Sequence, residues 1–364
     1  MNPSINQEQT DSLKNEVNSR RAARIGTTTL KIGVIGLGHW GPNHVRVLSE
    51  SASANVVVCT DLDQNRCQHI QSRYPDLQVV AKAEEIFRLS DIDAVVIATP
   101  ASTHYQLAKA AMIAGKHVLL EKPMCSSVKE AEELIALSQK SGMVLMLGYV
   151  FVHNPGIQFI KKEIDRGEFG KIQYLHTSRT NLGPIRSDIN VVMDLASHEF
   201  SMFDYFFGSL PVWISAAGSC FLGTPREDVA FLSMEYPGKI LAHMNVSWLH
   251  PQKVRTLTLV GDKRMAVWDD LNQTEPVKIY NKGVAKEPFY DSFGEFQLKL
   301  RDLDMQVPKI SSEEPLKLQA SEFIRRVQTK TVDLKDSELG LRVMKCLEAA
   351  QKSLRSDGRR IFLT

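Results

Sequence analysis

A glycine-rich turn near the start of the chain is the segment whose residue types most directly indicate chemistry. The apolar run 32–35 leads into the spacing Gly-x-Gly-x-x-Gly, formed by Gly36, Gly38 and Gly41, and a helical pattern follows. Gly36 permits a tight turn, Gly38 lets the backbone approach a pyrophosphate, and Gly41 lets the next helix pack against the sheet. Because the N-terminal amides of that helix face the phosphates, the pattern predicts a dinucleotide-binding turn.

An acidic residue after the second apolar run supports this interpretation. Val56 to Thr60 is followed by Asp61, which stands 20 residues after Gly41. In dinucleotide-binding folds an acid at this distance accepts hydrogen bonds from the ribose and repels a 2′-phosphate, so we expect NAD as the cofactor. Arg66, five residues further on, keeps NADP open as an alternative. A glycine-rich turn without any ligand is the other alternative.

Composition excludes several classes of function. Lys and Arg total 44 and Asp and Glu total 42 in 364 residues, so the net charge of +2 favours neither nucleic acid nor an anionic membrane as a partner. Only the short basic run 20–24 favours a nucleic-acid binder. The five cysteines form no Cys-x-x-Cys pair, which argues against a zinc site and a disulfide framework and favours the cytoplasm. We expect no metal, no nucleic acid and no membrane.

The first half of the chain alternates short apolar runs with helical patterns. This alternation predicts a Rossmann fold, a doubly wound parallel sheet with helices on both faces. The predicted strands are Lys31–Ile35, Val56–Thr60, Ala94–Ala98, His117–Leu120 and Val144–Leu147. The helical patterns include Pro42–Glu50, Thr103–Ala114 and Ser127–Ser141, the last with a plausible serine N-cap.

After Gly148 the pattern changes to longer strands joined by short turns, which predicts a large open sheet, mostly antiparallel, in an α+β domain. The predicted strands here are Lys171–Thr180, Val212–Phe221, Val229–Tyr236, Lys239–Trp248, Lys253–Val260 and Arg264–Asp269. The predicted helices are Asp194–Phe207, Glu314–Thr329 and Ser337–Ser356. We therefore divide the chain into a flexible polar tail (1–29), a Rossmann domain (30–148) and a substrate-binding and oligomerisation domain (149–364). Because an open sheet needs a cover, we expect a homo-oligomer, a dimer or tetramer.

Three further motifs give the chain a family resemblance. They are Thr99-Pro100 followed by His104, the triplet Glu121-Lys122-Pro123, and Asp194-x-x-x-His198. Together with the glycine turn, they resemble the glucose–fructose oxidoreductase/inositol dehydrogenase (Gfo/Idh/MocA) family. Segments 181–186, 190–198 and 247–255 are similar to one branch, the dehydrogenases that oxidise C3 of UDP-N-acetylated glucosamine or glucuronate. The chain departs from that branch at Met193, Ser197 and Glu199, where tryptophan, proline and aspartate are usual.

The resemblance implies a catalytic set of Lys122, Asp194 and His198. Removing hydride from a sugar carbinol requires a base for the hydroxyl proton and a positive group for the developing alkoxide. Lys122 is suited to the second task. His198, with an ordinary pKa of about 6.5, is suited to the first. Asp194 lies four residues before His198, and on a helix it would share one face with it, so it either orients Lys122 or holds His198.

The resemblance also implies cofactor and substrate contacts. Residues expected along the pyrophosphate are Gly36, Gly38, His39, Trp40 and Gly41, with Asp61 at the ribose. Residues expected on the nicotinamide side are Thr99, Pro100, His104, Glu121 and Lys122. Residues expected around the sugar or its phosphates are Tyr149, His153, Asn154, Arg179, Asn181 and Asn190, and Arg186 is a further candidate for pairing with phosphate or carboxylate oxygens.

The resulting expectation is an NAD-dependent enzyme that oxidises the C3 hydroxyl of a nucleotide-linked N-acetylated sugar. Two alternatives stay open. One is a dehydrogenase of free sugars or inositol in the same family, against which Val152 counts because that pattern has an arginine two residues before Asn154. The other is a protein that binds NAD and sugar without catalysis, as a sensor.

Overall fold

The computed structural model describes residues 29–186, 188–284 and 300–363, and within these ranges it describes the side chains except those of 282–284 and 300–304. The predicted flexible tail lies outside the described residues apart from residue 29. None of the helices in the described ranges combines the length and the apolar composition needed to cross a bilayer.

The first sheet has six parallel strands in the order β3-β2-β1-β4-β5-β6. Its strands are β1 (Leu30–Ile35), β2 (Ala54–Thr60), β3 (Gln78–Val79), β4 (Ala94–Ile97), β5 (His117–Leu120) and β6 (Leu145–Leu147). Every residue of β4 and β5 is buried, as expected for strands covered on both faces. The strand order reverses between β1 and β4, and ligands of such sheets bind in the crevice at this point, beyond the carboxyl ends of the strands.

Helices connect these strands as the sequence predicts. They are α1 (Gly41–Ser49), α2 (Gln64–Arg73), α3 (Ala83–Arg88), α4 (Ala101–Ile113) and α5 (Val128–Ser141). The Ser127 side chain accepts a hydrogen bond from the Glu130 amide, so the predicted serine cap of α5 is confirmed. Gly142 ends the same helix in the left-handed region, with φ of 68°, a conformation that glycine adopts without a steric penalty.

The second sheet has nine strands in the order β14-β13-β12-β11-β7-β10-β9-β8-β15. They are β7 (Ile172–Leu182), β8 (Trp213–Ser219), β9 (Val229–Tyr236), β10 (Ile240–Ser247), β11 (Leu249–Gly261), β12 (Met265–Asp269), β13 (Val277–Val284), β14 (Leu300–Gln306) and β15 (Ile361–Phe362). Among the described pairings of this second sheet, only that of β10 with β7 is parallel. The predicted fold class, a Rossmann sheet plus an α+β part with a mostly antiparallel sheet, is therefore confirmed.

One long predicted helix differs from the structure. The segment 194–207 is not a single α-helix, because a π-helical turn (Val192–Ala196) precedes α7 (Ser197–Phe207). The remaining helical elements are a 3-10 turn (Val150–His153), α6 (Pro155–Asp165), α8 (Pro315–Thr329) and α9 (Leu334–Leu354). Since π turns inside helices often occur at functional sites, the position of Asp194 in this turn supports it as a candidate functional residue.

Helix α8 returns to the first sheet although it lies near the end of the chain. Leu316, Phe323 and Ile324 pack in the same buried cluster as Ile32 and Val45. Helix α9 packs instead against α5, α7 and β8. The two sheets are thus joined by shared helices, and the division at residue 148 stays a prediction.

Candidate active site

The glycine turn has the geometry that a dinucleotide requires. Gly36 has φ of +92°, and a Cβ on Gly41 would lie 2.0 Å from the Gly36 carbonyl oxygen, so neither position tolerates a side chain. A Cβ on Gly38 would meet only the end of the Arg66 side chain, at 3.7 Å. Gly38 is therefore the glycine whose missing side chain leaves space for a ligand.

Asp61 closes the other side of this turn. Its Oδ2 accepts a hydrogen bond of 2.6 Å from the Leu37 amide, and its Oδ1 accepts one of 2.8 Å from the Asp63 amide. The half-exposed Arg66 guanidinium lies 3.7 Å from the same carboxylate. A cleft of about 320 Å³ begins here, and its lining is Leu37, Gly38, Pro42, Asn65, Arg66, His69 and Ile70. The residues present fit the adenosine half of a dinucleotide, and the contact of Asp61 with its ribose stays a prediction.

The loops after β4 and β5 place Thr99, Pro100, Glu121 and Lys122 at the same edge of the sheet. The His104 ring is buried beside these two loops, and its contact with the nicotinamide stays a prediction. Its Nδ1 lies 2.8 Å from the Pro123 carbonyl oxygen and its Nε2 lies 2.9 Å from that of Thr99. Burial lowers its pKa. His104 thus connects the two loops that carry the cofactor-side residues.

His44 on α1 is a site residue that the sequence analysis missed. Its Nε2 lies 2.8 Å from Glu121 Oε1, and both side chains are buried. The other oxygen of Glu121 accepts a hydrogen bond from the Lys122 amide. The pyrophosphate-facing helix is therefore connected through two side chains to the backbone of Lys122. The sequence does show a histidine, His44, eight residues after Gly36, but it does not show that this histidine pairs with Glu121.

Lys122 and Asp194 form a buried pair between the two halves of the chain. Lys122 Nζ lies 2.9 Å from Asp194 Oδ1 and 3.0 Å from the Asp194 carbonyl oxygen. Burial alone would raise the pKa of Asp194, but the ammonium of Lys122, with smaller contributions from Arg186 and Trp248, lowers it. Of the two roles left open for Asp194, the contacts support orientation of Lys122.

His198 lies beside this pair in a buried position. Its ring packs edge-on against Phe151, with centroids 5.0 Å apart, and its Nδ1 has no hydrogen-bond partner among the described residues. Burial lowers its pKa well below the ordinary value, and the charges of Lys122, Arg179 and Arg255 lower it further. Enclosure and nearby cations therefore both disfavour the imidazolium form of His198.

Two arginines pack against the ring of Phe151. The guanidinium carbon of Arg179 lies 4.1 Å from the centroid of that ring, and the carbon of Arg255 lies 5.8 Å from it. Arg179 Nε donates to the carboxylate of Glu199, which is also buried. One terminal nitrogen of Arg179, Nη2, has no partner in the described part of the chain. Arg179 is therefore a buried cation in the layer around Phe151, and its contact with the substrate stays a prediction.

The other predicted substrate residues divide into two groups. Asn154 caps α6 and donates to Asp270, and Asn181 donates to the Gly183 carbonyl, so both have local roles beside the site. Asn190 donates to Glu227, and its amide oxygen accepts bonds from Met193 and Gln351. This network holds the start of the π turn that carries Asp194.

Tyr149 and His153 follow the last strand of the first sheet and differ in burial. The Tyr149 hydroxyl is enclosed and lacks a partner among the described residues, and burial raises its pKa strongly. His153 is half-buried, and burial together with the charge of Arg326 lowers its pKa to about 4. Contact of either side chain with a sugar stays a prediction.

Comparison with known proteins identifies the class. Residues 30–149 match the model described as "Oxidoreductase family, NAD-binding Rossmann fold", and residues 157–267 match the C-terminal domain of the GFO/IDH/MocA family. The chain belongs to this family of oxidoreductases, and its first sheet is an NAD-binding Rossmann fold. Both the predicted family and the predicted cofactor are confirmed.

The chain is also similar to individual proteins that have assigned names. The chain is 30% identical over 272 residues to UDP-N-acetylglucosamine 3-dehydrogenase of Acidithiobacillus ferrooxidans, covering 71% of this chain and 79% of that protein. The crystal structure of that enzyme matches with a TM-score of 0.77 at 25% identity, covering 91% of this chain and 99% of that chain. Inositol 2-dehydrogenase 2 of Saccharopolyspora erythraea is 27% identical over 60% of this chain and 66% of its own length.

Proposed function

We propose that this chain oxidises the C3 hydroxyl of a nucleotide-linked N-acetylated sugar, of the UDP-N-acetylglucosamine or UDP-N-acetylglucosaminuronate type, to a 3-keto sugar. The observation that carries the proposal is the ion pair of Lys122, in the loop beyond the carboxyl end of β5, with Asp194, in the π turn that continues into the helix carrying His198. The similarity to a UDP-N-acetylglucosamine 3-dehydrogenase supports this choice of substrate.

Each residue of the site has a distinct role in this reaction. Bound NAD supplies the acceptor for the hydride. His198 is neutral, so its imidazole is ready to accept the proton of the sugar hydroxyl. Lys122 keeps a positive charge beside the same oxygen while Asp194 holds its amine in place, and this charge stabilises the alkoxide that forms as hydride leaves.

A dehydrogenase of inositol or free sugars is the second candidate, because several inositol dehydrogenases are also similar to the chain. The two functions are separated by absorbance at 340 nm when the protein and NAD are mixed with UDP-N-acetylglucosamine, UDP-N-acetylglucosaminuronate or myo-inositol. We expect NADH formation with a UDP-sugar only. Since oxidation is often unfavourable at equilibrium, the 3-keto product with NADH is assayed as well. Turnover of inositol alone would replace the proposal, and binding of NAD and UDP-sugar without turnover would indicate a sensor.

Assembly through the second sheet is part of the proposal. Tyr174, Phe231 and Leu241 lie on its outer face and are about half exposed, and His176 stacks on His243 between neighbouring strands. We propose that a second copy of the chain covers this face in a dimer or tetramer of a cytoplasmic enzyme, whose product an aminotransferase of polysaccharide biosynthesis then uses. Light scattering after size-exclusion chromatography tests the assembly, and a monomer at all concentrations would refute it.

A further inference from the structure

Trp248 is a buried side chain that contacts the site from the second sheet. Its indole Nε1 donates a hydrogen bond of 3.2 Å to Asp194 Oδ2, the oxygen that Lys122 does not use. The side chain is almost fully enclosed. Its backbone is held on both sides, because its amide donates to the Asp228 carbonyl and its carbonyl accepts from the Gly183 amide. The indole therefore offers its N–H from a fixed position.

The Asp194 carboxylate has more than one available partner, so its orientation matters. Arg186 Nη1 lies 3.5 Å from Oδ1, the oxygen that also accepts from Lys122 at 2.9 Å. A carboxylate free to rotate would exchange its oxygens between the ammonium and the guanidinium. The indole N–H occupies Oδ2 and so fixes the plane of the carboxylate.

We propose that Trp248 is a positioning residue, which holds Asp194 so that Lys122 directs its remaining N–H bond at the substrate hydroxyl. An ammonium has three donors, and Asp194 takes two of them, through Oδ1 and through its backbone carbonyl. The direction of the third is then set by the other two. This role rests on the proposed function and extends it to a residue that does not touch the reacting atoms.

The test is Trp248→Phe, which removes the N–H and keeps an aromatic ring. Trp213→Phe is the matched control, since Trp213 is also buried in the second sheet but packs against Arg360 near its edge. We expect kcat of Trp248→Phe to fall roughly tenfold, the usual effect of losing a hydrogen bond to a charged group, with the Kd for NAD unchanged. The acidic limb of the kcat pH profile should move to higher pH, because loss of the donor raises the pKa of Asp194. An unchanged kcat and pH profile would overturn the proposal.

A second measurement tests the contact between Trp248 and Asp194 directly and does not require turnover. With ¹⁵N-labelled tryptophan, the four tryptophans each give one indole signal. We expect one signal to shift in Asp194→Asn, and the same signal to be missing from Trp248→Phe where that variant folds. If Asp194→Asn leaves all four signals in place, the contact has no role. Failure of the proposed function would instead appear as absent turnover in the unaltered protein with this shift intact.

Discussion

Replacing Lys122 by methionine separates the chemical role of the ammonium from its structural role. Methionine keeps an unbranched side chain of similar length and removes the charge that lies 2.9 Å from Asp194 Oδ1. Two unit charges about 4 Å apart interact by about 4 kcal/mol at an effective dielectric constant of 20. If the developing alkoxide receives that stabilisation, its loss lowers kcat about 10³-fold.

The same substitution should also destabilise the fold. Among the described residues, it leaves a mostly buried Asp194 carboxylate with only Arg186 at 3.5 Å and the Trp248 indole as partners. Removing one member of a buried ion pair costs about 3 kcal/mol or more, because the other charge stays buried without compensation. The double variant Lys122→Met/Asp194→Asn removes the stranded charge. We therefore expect it to regain most of the stability and none of the activity.

The assay combines NADH absorbance at 340 nm, urea denaturation and titration of NAD binding. Lys140→Met, on an exposed position at the end of α5, is the matched control for loss of a lysine charge. NAD affinity should stay within a few fold of the unaltered protein in every variant, since the glycine turn is untouched. A rate near normal for Lys122→Met would refute the role of the ammonium. Recovery of activity in the double variant would show that the lysine acts only by neutralising Asp194.

Three further outcomes follow from the site. His198→Gln should lower kcat at least 100-fold at unchanged NAD affinity. Because folding lowers the pKa of His198, the unaltered protein should lose stability relative to this variant as pH falls below about 6.5. Urea denaturation midpoints at pH 7.5 and 5.5 check this second expectation. Gly38→Ala should weaken NAD binding with little change in stability, whereas Gly41→Ala should lower the thermal midpoint, because its Cβ would meet backbone at 2.0 Å. The unaltered protein should prefer NAD to NADP in paired titrations, and Asp61→Ser should reduce that preference, whereas equal affinities before substitution would contradict the role of Asp61.

The sequence predicted the parts of the fold that follow from local patterns. The glycine spacing, the apolar run before Asp61 and the strand–helix alternation each reflect backbone geometry within a short segment. The same holds for the motif containing Lys122. Because the carboxyl ends of parallel strands lie at one edge, placing this motif and the one containing Thr99 at strand ends was enough to predict that they share that edge, whereas the roles of Asp194 and His198 came from the family resemblance.

The features that the sequence could not predict depend on contacts between distant segments. The pairing of His44 with Glu121 spans 77 residues and that of Trp248 with Asp194 spans 54. Tyr149 and His153 were assigned to the substrate by the family resemblance, but their burial depends on helices that pack on the turn Val150–His153 from elsewhere in the chain. The π turn before α7 is also invisible to a periodicity argument, since a single extra residue per turn does not change the residue types.

The electrostatics of His198 show why such distant contacts decide the chemistry. An isolated histidine titrates near neutrality, and the motif alone suggests an acid–base residue of that kind. In the structure, burial and the charges of Lys122, Arg179 and Arg255 all oppose protonation of the ring. An imidazole that is reluctant to hold a proton acts as an acceptor only if the proton can move on, or if an anionic substrate offsets the surrounding cations. The diphosphate of a nucleotide sugar carries such charge and inositol carries none, so a bound UDP-sugar should raise the pKa of His198, and the acidic limb of the kcat pH profile should lie at higher pH for UDP-sugars than for a neutral polyol.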